Sequence, residues 1–296
     1  MIIFPNRDAV IKNIQKNVAN KEYNKKVEID DPQMTTKESI NRINEYFRKR
    51  ATPIGKVKNL CARAIYRGVT WVENRHTEVV GLENLTALDR KKGAIITTNH
   101  FNPLENTVIR RFMNKAKLHK RLFIISQDTN LAMKGLVGFL MNNYDIIPLS
   151  KSINYLGQTF PKILKKIIND GNYVLIYPEE EMWFNYRKPR PLKRGTYFYA
   201  AKINAPIISC FVELKDLPSF EPNTNDTIHR VKAIVHVLPV IFPDPNKSAK
   251  ENSLRMMEQD YNQKKEAYEK AYGKKLTYDF EPEDIAGWVG PNADKK

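Results

Sequence analysis

Cysteine and histidine are scarce in this sequence. Its 296 residues include two cysteines, Cys61 and Cys210, which lie far apart and form no CxxC pair. A chain of this length buries a full hydrophobic core without disulfide support, so both are interpreted as reduced thiols in a cytosolic protein. None of the five histidines lies near the acidic run Glu179–Glu181 in sequence, and no metal site is expected there.

Long hydrophobic runs are also missing. No stretch approaches the about 18 consecutive apolar residues that a membrane-spanning helix needs. The amino-terminal MIIFPNRDAVIK is interrupted by charge after a few apolar residues, and it therefore lacks the apolar core of a signal peptide. The expectation is a protein that is either soluble or held on a membrane from one side, at the inner, cytoplasmic face.

Negative charge is in deficit. The chain has 49 lysines and arginines against 33 aspartates and glutamates, which gives a formal net charge of +16. This excess favours an acidic partner such as nucleic acid, an anionic membrane surface, an acidic carrier protein or a phosphorylated metabolite, although dispersed lysines also serve solubility alone. Because the chain has no helix-turn-helix signature, zinc finger or aromatic RNA-binding motif, a nucleic-acid partner is not expected.

The chain divides into three parts by composition. Residues 1–60 are polar and interrupted, with helical patterns near Asp8–Asn20 and Thr36–Lys49 and a loop around Ile29–Pro32, and they are interpreted as an amino-terminal helical appendage. Residues 61–245 alternate short β-rich runs with helical runs. Residues 246–296 contain a long charged helix at Ser248–Tyr272 and a tail.

The segment Gly55–Val72 has an amphipathic helical pattern. Its apolar positions recur at helical spacing, and basic residues occupy the other faces. The pattern fits either the first helix of the core or a helix lying on a membrane surface, and core packing is the favoured interpretation. The apolar positions are Val57, Leu60, Cys61, Ala64, Ile65 and Val69.

The middle part predicts an α/β domain. Strands are expected at Ala94–Thr98, Leu122–Ser126, Ile146–Leu149, Tyr173–Tyr177, Ile207–Val212 and Val231–Leu238, with helices at Pro103–Lys115, Leu131–Asn142, Tyr155–Asn169 and Thr196–Ile203. The alternation predicts a mixed, mostly parallel central sheet flanked by helices, with the helical appendage at one end and the long helix at the other. Ligand sites are expected where strands end.

One histidine stands where catalytic groups often lie, on a strand-to-helix loop. In TTNHFNPLENT, His100 follows a buried strand, and a carboxylate, Glu105, comes five residues later. A carboxylate that accepts a hydrogen bond from one imidazole nitrogen makes the other nitrogen a competent general base. Asn102 and Glu105 also fit a helix capping box, an alternative that this stretch alone leaves open. The chain has no GxSxG elbow, which argues against a triad hydrolase.

Four further stretches follow in a fixed order. They are DIIPLSK (Asp145–Lys151), YPEEE (Tyr177–Glu181), LKRG (Leu192–Gly195) and APIIS (Ala205–Ser209). Together with NHFNPLE (Asn99–Glu105), they resemble the ordered blocks of the glycerolipid acyltransferases, the 1-acylglycerol-3-phosphate acyltransferase family. The resemblance covers roughly Gly81–Leu214 and rests on order and spacing as well as residue type.

The resemblance implies a reaction and a set of residues. His100 would deprotonate the hydroxyl of a lysolipid acceptor, and Glu105, in the place usually taken by aspartate, would orient the imidazole. The acyl donor would be acyl-CoA or acyl carrier protein, and no bound cofactor is implied. The implied substrate-binding residues are Asn99, Lys151, Tyr177, Pro178, Glu179, Lys193 and Arg194.

The sequence departs from the family pattern at two blocks. Lys151 stands where the family has a phosphate-binding arginine, so charge is kept and the bidentate fork is lost. The third block is normally Phe-Pro-Glu-Gly-Thr-Arg, whereas this chain has Tyr177-Pro178-Glu179-Glu180-Glu181-Met182. The added carboxylates disfavour a phosphomonoester unless Lys193 and Arg194 offset them, and they favour hydroxyl groups of a neutral or glycosylated lysolipid. A catalytically altered lipid-binding relative is the alternative.

Overall fold

The computed structural model describes residues 6–29, 34–222, 224 and 227–290. The loop predicted around Ile29–Pro32 therefore lies almost wholly outside the described residues. Eight α-helices occur within the described part of the chain: α1 (Arg7–Ala19), α2 (Thr36–Ala51), α3 (Pro53–Asn74), α4 (Glu105–Lys115), α5 (Gly135–Asn143), α6 (Phe160–Asn169), α7 (Gly195–Lys202) and α8 (Ala249–Tyr272). The strands are β1 (Glu78–Val80), β2 (Ile95–Thr97), β3 (Leu122–Gln127), β4 (Ile146–Leu149), β5 (Tyr173–Ile176), β6 (Ile207–Phe220) and β7 (His229–Val237).

The seven strands form one sheet in the order β1-β7-β6-β2-β5-β3-β4. All neighbouring pairs are parallel except β6 and β7, which form a long antiparallel hairpin. Parallel strands need crossover helices on the faces, which explains why β2 and β5 are buried along their whole length. The predicted mixed, mostly parallel α/β sheet is confirmed.

Helices cover both faces of the sheet. Alternate strand residues point to opposite faces, so Ile96 and Leu175 join α3, α4 and α5 in one core, whereas Ile95 and Val174 join α6, α7 and α8 in the other. The two cores place α4 directly behind the loop that leaves β2. The sheet and α4 therefore each hold one side of the site.

The observed elements differ from the sequence predictions in a few places. The three-residue strand β1 was not predicted because its pattern is too short to show periodicity. Strand β6 is longer than expected, since its outer half is exposed and pairs with β7 beyond the core. Helix α4 begins two residues after Pro103, because Pro103 and Leu104 form a turn before it. The domain division stays a prediction, and residue 60 lies inside α3.

Helix α3 corrects the core-packing interpretation of Gly55–Val72. Its buried positions are small or polar, including Ala62, Tyr66 and Thr70, whereas the predicted apolar stripe faces outward. Helical spacing reveals an apolar stripe but not which surface the stripe meets. Five of the six predicted core positions are exposed: Val57, Leu60, Cys61, Ala64 and Ile65.

Local contacts explain why α3 sits where it does. The Thr52 side chain caps its first turn by accepting a hydrogen bond from the Gly55 N–H at 3.0 Å. A Cβ at Gly55 would lie 2.0 Å from the Lys49 carbonyl oxygen, so only glycine allows this close approach to α2. Further along, the Asn74 side chain donates to the Thr107 hydroxyl at 2.6 Å and ties α3 to α4.

The two ends of the chain meet over the segment that follows β5. Val10, Ile11 and Ile14 of α1 share one apolar cluster with Trp183 and Phe184, and Ile285 near the carboxyl end completes it. The amino-terminal helix therefore packs on the residues that follow the acidic block. This contact places the predicted appendage beside the candidate site.

A fully buried polar cluster anchors α8 to the sheet. Lys264 and Asp260, one helical turn apart, form an ion pair with no exposed surface, and Lys264 also donates to the hydroxyls of Thr97 at 3.0 Å and Ser209 at 3.4 Å. The Thr97 hydroxyl donates to Asp260 at 2.8 Å, and the Tyr197 hydroxyl to the same carboxylate at 2.5 Å. Strands β2 and β6 and helix α7 are thus tied to α8.

Breaking this pair is expected to destabilise the protein strongly. We expect Lys264→Met to lower the free energy of unfolding by about 3–5 kcal/mol, because it leaves the Asp260 carboxylate buried without its counterion. Urea denaturation measures the effect. The exposed Lys270 on the same helix supplies the control, and Lys270→Met is expected to change stability by less than about 0.5 kcal/mol. An equally small loss for Lys264→Met would contradict an anchoring role.

Candidate active site

The site lies at the carboxyl ends of β2 and β5, which are adjacent and parallel. Thr97 pairs with Ile176 in register, so the loops that follow the two strands leave the sheet at the same level. His100 follows β2 by three residues, and Glu179 follows β5 by three. The topology therefore brings the first and third sequence blocks together, as parallel strands do at the edge where ligands bind.

His100 and Glu105 are in direct contact. The imidazole Nδ1 and the carboxylate Oε1 are hydrogen-bonded, and the carboxylate is buried whereas the imidazole is one-fifth exposed. When Nδ1 donates its proton to Glu105, Nε2 is left to accept one. A base held by a buried carboxylate and partly open to solvent has the arrangement required for general-base chemistry.

Glu105 also holds the loop, but the helix capping box with Asn102 as N-cap does not form, because α4 begins at Glu105 and its N-cap is Leu104. Its second oxygen, Oε2, accepts hydrogen bonds from the N–H groups of Phe101 and, at 2.9 Å, Asn102. The Asn102 side chain accepts from the Leu104 N–H at 3.1 Å within the same turn. One carboxylate oxygen thus holds the imidazole, and the other holds the loop that carries it.

Tyr177 stacks on the imidazole ring of His100. The rings of His100 and Tyr177 lie 4.1 Å apart between centroids and are inclined by only 9°. Burial raises the pKa of Tyr177 well above its ordinary value, and the nearby negative charge of Glu105 adds to this shift. The tyrosine therefore stays protonated and provides a flat wall that limits rotation of the imidazole.

Glu179 is buried and its carboxylate is fully engaged. Oε2 accepts a hydrogen bond from the His100 N–H at 3.2 Å and pairs with the Arg190 guanidinium at 2.8 Å. Oε1 accepts from the Arg190 N–H at 2.9 Å. Glu179 thus joins the third block to the first, and direct contact between Glu179 and substrate stays a prediction.

The next two residues differ from Glu179 in exposure and geometry. Glu180 is exposed and has a left-handed backbone with φ 67°, a conformation that favours glycine. Desolvation raises the pKa of its carboxyl, with Lys193 opposing this shift and Glu181 adding to it. Glu181 accepts a hydrogen bond from the Gln127 side chain at 3.2 Å, at the end of β3. The acidic block therefore presents one exposed carboxylate on a residue whose backbone is left-handed.

The LKRG block lies beside the acidic block. The Lys193 N–H donates to the Pro178 carbonyl at 2.8 Å, so the two blocks run alongside each other. Lys193 and Arg194 are exposed, and Arg194 immediately precedes α7. Lys193 is thus placed to offset the charge of Glu180.

Asn99 and Lys151 take different positions. The buried Asn99 side chain accepts from the Val212 N–H at 2.8 Å and donates to its carbonyl at 3.1 Å, which fixes the start of the His100 loop to β6. Lys151 is exposed after β4, on the same edge of the sheet as His100. Three strand spacings separate β4 from β2, about 14 Å in all, so Lys151 lies at the periphery of the site.

Sequence patterns missed two residues that contact the His100 backbone. The Trp183 N–H donates to the His100 carbonyl at 3.0 Å, and the Arg190 guanidinium reaches the same carbonyl at 3.4 Å. Neither residue lies in a recognised block. The available signal was the unusual run from Trp183 to Arg190, which mixes aromatic and basic residues directly after the acidic block.

The class of protein follows from comparison with known families. Residues 76–213 match the model of the acyltransferase family, and this match includes His100, Glu105 and the acidic block. The resemblance predicted from the ordered blocks is confirmed over residues 76–213, which match an acyltransferase domain.

One solved structure similar to this chain is that of the 1-acyl-sn-glycerophosphate (LPA) acyltransferase, PlsC, from Thermotoga maritima. The two share 15% sequence identity, and the match covers 78% of this chain and 88% of that chain with a TM-score of 0.47. A comparison with curated proteins gives no match.

Proposed function

We propose that the protein transfers a fatty acyl group from the thioester of acyl-CoA or acyl carrier protein to the hydroxyl of a lysolipid. The observation that carries the proposal is the His100–Glu105 pair, in which a buried carboxylate binds Nδ1 at a parallel strand end. The acyltransferase match over residues 76–213 supports the same chemistry.

The reaction balances without a covalent enzyme intermediate. His100 Nε2 removes the proton of the acceptor hydroxyl as its oxygen attacks the thioester carbonyl carbon, and a tetrahedral oxyanion forms. Collapse of this intermediate breaks the carbon–sulfur bond, and the departing thiolate takes the proton from the imidazolium. Glu105 stabilises the imidazolium during these steps and keeps the ring in one tautomer.

The experiment that tests this function is acyl transfer from radiolabelled acyl-CoA and acyl carrier protein to a panel of lysolipids. We expect a diacyl product with at least one donor and acceptor. If the folded protein binds lipid but gives no product with any donor and acceptor, the result would support the alternative of a catalytically altered relative. The changed third block is the reason for considering that alternative.

We further propose that Glu180 selects the acceptor. A residue with a side chain held in the left-handed region costs about 1–2 kcal/mol, and such strain tends to persist at functional sites. An exposed carboxylate accepts hydrogen bonds from sugar or glycerol hydroxyls and repels a phosphomonoester. The preferred acceptor is therefore a neutral or glycosylated lysolipid rather than 1-acylglycerol-3-phosphate.

Glu180→Gly tests this selection. We expect the substitution to raise stability by about 0.5–1 kcal/mol, because the strain is relieved and glycine returns part of the gain as chain entropy. The ratio of kcat/KM for lysophosphatidate to that for a lysoglycolipid is expected to rise about tenfold. This corresponds to the loss of about 1.4 kcal/mol of repulsion between the Glu180 carboxylate and the phosphate.

The control is Lys117→Gly, since Lys117 is exposed and also has a positive φ, 56°, away from the site. It is expected to stabilise the protein to a similar extent with no change in acceptor ratio. Native protein that already prefers lysophosphatidate would contradict the proposal.

We also propose that α3 docks on an anionic membrane surface. Its outward stripe is apolar over most of the helix, with Ile54 69%, Leu60 65% and Trp71 64% exposed. At about 100° per residue, Lys58 borders the stripe on one side, and Lys56 and Arg67 border it on the other. An apolar face between basic borders matches the headgroup–acyl boundary of an anionic leaflet.

Neighbouring residues extend the same surface. Helix α5 packs against α3 and leaves Leu136 62% exposed and Val137 36% exposed. Among the described residues, no helix is long and apolar enough to cross a bilayer. Attachment through one face brings the enzyme to its lipid substrates and accounts for part of the excess positive charge.

A further inference from the structure

Arg190 is the least expected charged group near the site. Its side chain has no exposed surface, although it lies in an irregular segment between the acidic block and α7. A buried guanidinium is retained only where its donors are satisfied. Its contacts converge on the peptide groups of the His100 loop.

One set of contacts passes through Glu179. The Arg190 Nε and one terminal nitrogen contact Glu179 Oε2 at 3.0 and 2.8 Å, and the same oxygen accepts the His100 N–H at 3.2 Å. The carboxylate is therefore held between a cation and the backbone of the proposed base. Without Arg190, Glu179 would be a buried carboxylate supported by backbone N–H groups alone.

A second set of contacts reaches the other side of the same peptide. Arg190 Nη2 donates to the His100 carbonyl at 3.4 Å and to the Glu181 carbonyl, and its guanidinium lies 4.6 Å from the Trp183 ring. The Trp183 N–H also donates to the His100 carbonyl, at 3.0 Å. Both the N–H and the carbonyl of His100 are thus fixed by one connected cluster.

The cluster extends to the amino-terminal segment. Arg190 Nη1 donates to the Tyr23 carbonyl at 2.9 Å, and the Asn24 side chain donates to the carbonyls of Glu179 at 3.1 Å and Pro191 at 2.7 Å. This segment seals the guanidinium from solvent. With Nε, Nη1 and Nη2 all engaged by protein groups, Arg190 has no role as a ligand for a substrate phosphate.

We infer that Arg190 is a positioning residue, which acts through Glu179 and Trp183 to hold the His100 backbone so that the imidazole lies against Glu105 and Tyr177. This inference rests on the proposed function, since it concerns the base of that reaction. Displacement of a catalytic group by about 1 Å lowers rates by about a hundredfold. Turnover should therefore depend on Arg190 far more than substrate affinity does.

The test compares Arg190→Met and Arg190→Lys with the native chain. Arg190→Met is expected to lower kcat by about 10- to 100-fold. The KM for the acyl donor and the KM for the lysolipid acceptor are each expected to change by less than twofold. Arg190→Lys restores one ion pair with Glu179 and is expected to recover part of the loss. Arg187→Met is the matched control, because this neighbouring arginine pairs with Asp216 and does not contact the His100 loop.

Two further measurements keep the test decisive. The double variant Glu179→Gln with Arg190→Met removes both charges, so no buried carboxylate is left without its cation. It replaces Arg190→Met in the same measurements if that single variant fails to fold. With only five histidines in the chain, imidazole NMR signals report the pKa and tautomer of His100 in each variant. The signal assigned to His100 is expected to shift in the Arg190 variants and to stay unchanged in Arg187→Met.

The outcomes separate the two claims. A folded Arg190→Met with native kcat and a native His100 signal would overturn the positioning role, as would a raised KM with unchanged kcat. A native protein without acyl transfer would overturn the proposed function, whereas the NMR comparison would still decide whether Arg190 holds His100.

Discussion

Replacing His100 by alanine is expected to lower kcat for acyl transfer by about 10²–10⁴, the usual contribution of a positioned general base. The reason is that the His100–Glu105 pair contains the only imidazole that contacts a carboxylate at the carboxyl ends of β2 and β5 within the described part of the chain. The variant should still bind lipid, since the imidazole is only one-fifth exposed and contributes little surface. Initial rates of product formation under saturating substrates measure the effect.

The control for this prediction is His119→Ala. His119 is exposed on the loop before β3, and its removal is expected to leave kcat within about twofold of the native value. Glu105→Gln is expected to give an intermediate loss, because the glutamine keeps one acceptor for the loop but no longer carries the charge that stabilises the imidazolium. Comparable activity in His100→Ala and the native protein would remove His100 from the mechanism.

Removing the apolar stripe of α3 is expected to abolish membrane association. In a triple variant, Val57, Leu60 and Trp71 are each replaced by serine. Full burial of a large apolar side chain contributes about 1.5–3 kcal/mol, so half-burial at three positions contributes about 2–4.5 kcal/mol, which corresponds to about 40- to 2,000-fold in affinity. Sedimentation with vesicles containing anionic phospholipid measures the loss. Native folding is expected, because all three side chains face outward.

A matched triple variant separates position from composition. Leu217, Phe242 and Leu254 are also exposed apolar residues but lie away from α3, and their replacement by serine is expected to leave vesicle binding intact. Equal loss in both variants would point to nonspecific hydrophobic adsorption. Unchanged binding in the α3 variant would contradict docking through this helix.

The two cysteines provide an independent readout of the same contact. Cys61 is exposed on α3, whereas Cys210 is buried and burial raises the pKa of its thiol to about 12. A thiol-reactive fluorescent probe is therefore expected to label Cys61 alone. Its emission should shift to shorter wavelength when anionic vesicles are added.

Much of the architecture was predictable because strands buried on both faces leave a strong signal in a sequence. The runs at Ile95–Thr97, Tyr173–Ile176 and Ile146–Leu149 are short, β-branched and bounded by polar residues, and each was found close to its predicted place. The order of strands in the sheet was not predictable in the same way. Strand pairing joins residues far apart in the chain, and β-rich runs alone do not specify their neighbours.

Helix α3 shows the limit of periodicity. An apolar stripe bordered by lysine and arginine is the same pattern whether it faces a protein core or a lipid surface. The buried face of α3, opposite the apolar stripe, distinguishes core packing from a lipid-facing position. On that face Ala62, Tyr66 and Asn74 are small or hydrogen-bonding and fit closely against α4. That complementarity depends on a partner helix more than 30 residues away in sequence.

The site was predictable where its residues lie close together in the chain. Five positions separate His100 from Glu105, whereas 90 separate it from Arg190. No local pattern signals that a guanidinium so far along the chain will reach the same peptide. The left-handed backbone of Glu180 was equally hidden, because the residue type there argues against that conformation rather than for it.

The most direct test of the central claim is a measurement of both products in one reaction. Native protein is mixed with labelled acyl thioester and lysolipid, and free thiol and new ester are counted together. We predict equal amounts of the two, both dependent on His100. Thiol released without ester would show thioester hydrolysis, and neither product from a folded, lipid-binding protein would contradict acyl transfer by the His100–Glu105 pair.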